Sequence, residues 1–81
     1  MKVLFGQGIP EIFQELSRPV QIKAARIIDL ITVFPEMYPV RRIGLMRGYR
    51  YFNALGYYFY YSISSQEIRV MAILPARMEQ A

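Results

Sequence analysis

The 81-residue chain reads as one α+β domain, residues 1–81, in which an N-terminal helical hairpin packs on a small antiparallel β-sheet of three to four strands. Three observations predict this. Apolar residues recur at helical spacing as far as Phe34. From Gly48 onward the period shortens to two, and aromatic and β-branched residues replace the helix formers. Short turn sequences then divide the second half closely enough for hairpins.

Taking the elements in order, Met1 to Phe5 fits a short strand ahead of Gly6 and Gly8. Ile9, Ile12, Phe13 and Leu16 fall at i, i+3, i+4 and i+7, one buried helix stripe, with Pro10 in the first turn. Val20, Ala24, Ile27, Ile28, Ile31 and Phe34 mark a second helix, with Ser17 as its cap and Pro19 in its first turn. Pro35 ends that helix by forcing Phe34 toward extended geometry. Strands are expected near Gly48–Asn53, Tyr57–Ile63 and Glu67–Leu74, with turns at Ala54-Leu55-Gly56 and Ser64-Ser65-Gln66. Strict alternation turns Tyr57, Phe59, Tyr61 and Ile63 toward the helices, together with Ile68, Val70, Ala72 and Leu74. Tyr58, Tyr60, Arg69, Met71 and Ile73 then share an opposite face with no helix left to cover it, a natural docking surface.

A chain of this size buries only about 60% of its unfolded surface. Apolar packing alone must hold it, because it has no Cys and no His. The same absence excludes Ser/His and Cys/His nucleophile systems and thiolate or histidine metal sites. No metal or cofactor is expected. The carboxylates form no close strand pair suited to acid/base work, and Gly6 and Gly8 lack the rest of a phosphate-loop motif. Nothing resembles a signal peptide, and the longest charge-free stretch, Tyr51 to Gln66, is too short and polar for a membrane span. A cytoplasmic protein with no membrane partner is the expectation.

The hydrophobic share is 54% and the aromatic share 15%, an excess that leaves apolar surface for a partner. The formal charge is +4, and eight of the ten cations are arginine, whose planar fork suits phosphate and carboxylate. Arg41, Arg42, Arg47 and Arg50 lead into the first hairpin strand, Arg69 lies in the last and Arg77 follows it. With the strands adjacent, these guanidiniums are expected to converge at one end and face of the sheet. That arrangement would bind phosphate and bases with tyrosine stacking, or stabilise charge in phosphoryl transfer. A solubilising basic rim is the plainer alternative. Arg47-Gly48-Tyr49-Arg50-Tyr51-Phe52 partly matches an RNA-recognition signature, but three residues, Ser64 to Gln66, stand where that fold needs a second helix.

Longer stretches resemble the RelE/ParE superfamily of bacterial toxins. FPEMYP looks like that family's corner after the second helix, GYRYFNALGYYFYYSI like its arginine strand and the tyrosine strand after it, and EIRVMAILPARME like its closing strand. The resemblance runs from about Ile9 to Glu79. It implies the toxin of a type II toxin-antitoxin pair, inhibited by a cognate antitoxin that wraps its exposed surface, with DNA gyrase or the ribosome and its mRNA as target. In the ribonuclease branch a strand arginine, an arginine after the last strand and a tail tyrosine share the phosphate chemistry. Here Tyr57-Tyr58 occupies the first position and no tyrosine follows Arg77. Arg50 falls where ParE-type members carry a strand arginine, which favours a gyrase-binding toxin over an mRNA endoribonuclease. In the ribonuclease alternative Arg50 and Arg77 would be the catalytic pair. A non-toxic binding domain reusing the fold is a third reading. Arg42, Arg47, Arg50, Tyr58, Tyr60, Arg69 and Arg77 are the expected contact residues, and the uncovered face is expected to leave the isolated chain poorly soluble or self-associating, a homodimer being one such form.

Overall fold

Glycine and proline set the first breaks in the chain. A computed structural model describes residues 1–77, so the last two residues of the EIRVMAILPARME stretch, Met78 and Glu79, lie outside the described residues. β1 (Lys2–Phe5) leads through Gly8, the N-cap, into α1 (Ile9–Glu15). After Leu16 and Ser17 the chain enters α2 (Arg18–Val33). The amide of Gln21 donates to the carbonyls of Phe13 (2.9 Å) and Gln14 (3.2 Å), which ties the start of α2 to the end of α1. Ser17 sits at the N-cap of α2 but its hydroxyl makes no capping bond.

β2 (Arg50–Ala54), β3 (Tyr57–Ser64) and β4 (Glu67–Pro75) follow, and the sheet order is β1-β4-β3-β2. The hairpins are antiparallel, but β1 lies parallel to β4, so the four-stranded sheet is mixed and not wholly antiparallel as expected. Parallel placement follows from the two helices, which carry the chain back over the sheet before β2 begins. α1 packs on β4 and α2 on β2.

The core lies between the helices and one sheet face. Ile9, Val20, Ala24, Ile27 and Ile31 meet Phe52, Phe59, Tyr61, Ile68, Val70 and Ile73. Phe52 and Phe59 stack at 5.0 Å between centroids, and Phe13 meets Phe59 edge-on at 6.3 Å. Ile12 and Phe34, expected in the helical stripes, are exposed instead.

One irregularity changes which residues face the core. Tyr61 pairs with Val70 but Tyr60 with Ala72, so Met71 is an extra residue on β4, a β-bulge. Beyond it the alternation inverts. Ile73 opposes Phe59 and is buried, while Ala72 and Leu74 oppose Tyr60 and Tyr58 on the outer face. This corrects the strict alternation expected of the sequence, which had turned Ala72 and Leu74 inward and Ile73 outward.

Candidate functional site

Three surfaces are built by this fold: the outer sheet face, the connection between α2 and β2, and a groove beside the helices. On the outer face Tyr51 and Tyr60 are cross-strand neighbours, their rings 5.8 Å apart. Tyr58 meets Tyr51 at 5.6 Å and Tyr60 at 6.3 Å, so the three rings form one cluster. The Arg41 guanidinium lies over the Tyr51 ring, 5.6 Å from its centroid, a cation–π contact. Tyr60 is fully buried within this face and Tyr58 half-buried. The expectation of an open tyrosine surface is therefore corrected for Tyr60: long rings packed edge to edge on adjacent strands cover one another.

Arg69 also lies on the outer face, opposite Ser62, where its guanidinium is 3.3 Å from the carboxylate of Glu67. Arg77 follows β4 at the other end of the sheet, beside the β2–β3 turn, where the Ala76 amide donates to the Gly56 carbonyl at 2.8 Å. Arg50 opposes Tyr61 and shares the helix-side face with Phe52. It donates to the Tyr38 carbonyl at 2.6 Å and the Glu36 carbonyl at 3.3 Å, with the Glu36 carboxylate 3.8 Å away. Arg50 thus clasps the corner after α2, and the expectation that it points to an arginine cluster is overturned. Arg50, Arg69 and Arg77 occupy different faces and ends of the sheet. The parity of β2 explains the error: either Tyr51 or Phe52 could have been the inward residue, and packing chose Phe52 and with it Arg50.

The corner is held from β3 as well. Tyr61 donates its hydroxyl to the Pro35 carbonyl at 2.8 Å, and the Tyr38 ring packs 5.7 Å from Phe52. Burial raises the Tyr61 phenol above its ordinary 10.0, against the opposing pull of the Arg50 guanidinium.

From Pro39 the chain runs alongside β2 as a short ribbon. The Tyr51 amide donates to the Pro39 carbonyl, the Arg41 amide to the Tyr49 carbonyl at 2.7 Å, and the Gly48 amide to the Arg41 carbonyl at 2.9 Å. Two turns close the tip, bonded from Arg47 to Gly44 and from Tyr49 to Met46. Gly48, third residue of the second turn, has φ 95°, a conformation that a side chain disfavours. This ribbon carries Arg42 and Arg47, both exposed, and two apolar residues that sequence reasoning passed over, Ile43 and Leu45, 72% and 97% exposed. The missed signal is the run VRRIGLMRG, in which large apolar residues and arginines are mixed around Gly44 and end at Gly48.

The third surface is an apolar groove of about 340 Å³ between α1, α2 and the end of β1, lined by Phe5, Pro10, Phe13, Ala25 and Ile28 among others. Among the described residues no group of acidic side chains is arranged to hold a metal ion, and no helix is long and apolar enough to cross a membrane. Comparison of the chain with protein-family models, with curated proteins and with solved structures finds no match.

Proposed function

We propose that the protein is the toxin of a type II toxin-antitoxin pair, of the ParE-like kind, which binds DNA gyrase and is neutralised by a cognate antitoxin in the cytoplasm. The observation that carries this reading is the dispersal of the arginines. Arg50 is committed to the carbonyls of Glu36 and Tyr38, and Arg77 follows a strand residue, Pro75, that lies opposite Tyr57, whereas Arg50 lies opposite Tyr61. Those positions are four residue steps apart on β3, about 13 Å along a strand. A scissile phosphate needs its stabilising cations within contact of one atom. Binding fits this arrangement better than cleavage, which favours the gyrase-directed branch over the ribonuclease alternative. The order of elements, a first strand and a helical pair before three strands joined as hairpins, is compatible with the same family. The apolar groove at Phe5, Phe13 and Ile28 gives an antitoxin segment something to cover.

The test is induced expression with gyrase activity and mRNA integrity followed together. The expected result is growth arrest with lost supercoiling or trapped gyrase–DNA complexes while transcripts stay whole. Cleaved transcripts would place the protein in the ribonuclease branch. Unimpaired growth would leave the non-toxic binding domain as the reading.

A further inference from the structure

The charge of this protein is not spread over it. Between Met37 and Gln66 the chain contains Arg41, Arg42, Arg47 and Arg50 and no carboxylate. Outside that stretch six Lys and Arg balance all six Asp and Glu, so these four arginines carry the whole formal charge of +4. Arg50 faces the helix side, with the Glu36 carboxylate 3.8 Å away. The remaining three sit on the ribbon that runs out from β2, and its tip holds the most exposed large apolar side chain of the described residues, Leu45, with Ile43 two residues before it.

Large aliphatics held in water within a basic frame have the composition of an interface centre with its rim. They are also pre-positioned. The ribbon is closed by the backbone bonds between Arg41, Gly48 and Tyr49 and by two turns, and Arg41 Nε donates to the Ile43 carbonyl at 3.3 Å while its guanidinium covers Tyr51. A segment ordered before binding loses little freedom when it docks.

We propose that the ribbon tip is a docking element for an acidic amphipathic protein segment, whose apolar side takes Leu45 and Ile43 and whose carboxylates meet Arg42 and Arg47. Charge complementarity selects an anionic occupant. The aliphatic tip selects protein over nucleic acid, because its most exposed large side chains, Leu45 and Ile43, offer no ring on which a base can stack and would meet phosphate with a hydrocarbon. Fixed backbone geometry selects a shaped cleft over a fluid lipid surface. The inference does not depend on the toxin reading, since its test measures binding and not growth inhibition.

The probe is a synthetic 20-residue amphipathic helix with glutamate along one side and leucine along the other, titrated against the full chain by fluorescence anisotropy. Its lysine counterpart, a 20-base-pair DNA duplex and vesicles of phosphatidylcholine and phosphatidylglycerol are run beside it. Saturable binding of the glutamate peptide is expected, weakening with salt and falling about tenfold or more in Leu45→Ser and in the pair Arg42→Gln with Arg47→Gln. Ile43→Ser provides a second apolar variant, and thermal melts of all variants should match the parent. Absence of saturable binding, equal binding of the lysine peptide, tighter binding of DNA or vesicles, or parent-like binding by folded variants would each overturn the proposal.

Discussion

The connection from α2 to β2 has two halves that solve opposite problems. Its first half, Phe34 to Val40, is fastened by side chains from the sheet: Arg50 holds the carbonyls of Glu36 and Tyr38, and Tyr61 holds that of Pro35. Its second half, Arg41 to Gly48, is shaped by backbone turns and leaves Arg42, Ile43, Leu45 and Arg47 exposed. Only two residues separate Arg47 from Arg50, yet one side chain is exposed and the other is only 23% exposed and bonded to the loop. Residue type and proximity in sequence therefore do not tell a binding arginine from a structural one. What decides is whether unsatisfied carbonyls lie within reach of the strand position.

The comparison breaks most visibly at Arg50. Arg50→Ala removes charge-assisted bonds to two carbonyls and should cost roughly 1.5–3 kcal/mol. In a domain of this size that is a fall in Tm of about 4–8 °C for each kcal/mol, readable by calorimetry. A variant that melts as the parent does would return Arg50 to the list of surface contacts.

Tyr61→Phe is the next largest. Losing the bond to Pro35 should cost about 0.5–1.5 kcal/mol at neutral pH. The folded state holds the Tyr61 proton more tightly than the unfolded chain does, because burial raises the phenol above 10.0. Its contribution is thus intact below about pH 10 and is lost as pH rises from there through the raised folded value. Denaturant melts from pH 8 to 11 should show the parent losing stability more steeply than Tyr61→Phe. Parallel curves would mean that this hydroxyl is not the group responsible.

The smallest effect is expected at the tip, where Arg47→Gln and Leu45→Ser should stay within about ±0.5 kcal/mol because neither side chain is buried. A loss of more than 1 kcal/mol in either would show that the two halves of the connection are both structural.

Local pattern alone determined a good deal: two helices, three closely spaced strands and a chain without histidine or cysteine. Helix periodicity placed Val20, Ala24, Ile27 and Ile31 in the core, and aromatic alternation placed Phe59 and Tyr61 there. These are readable because they depend on neighbours a few residues away. Three features were decided only by tertiary structure. β1 runs parallel to β4, which depends on where the helices return the chain. The bulge at Met71 moves Ile73 inward and Leu74 outward, since one unpaired residue inverts every side chain after it and leaves no mark in an apolar run such as VMAIL. Arg50 joins the corner after α2 because the packing of Phe52 against Phe59 fixes which way β2 faces, a choice between two equally aromatic sides that the sequence leaves open until the helices cover one of them.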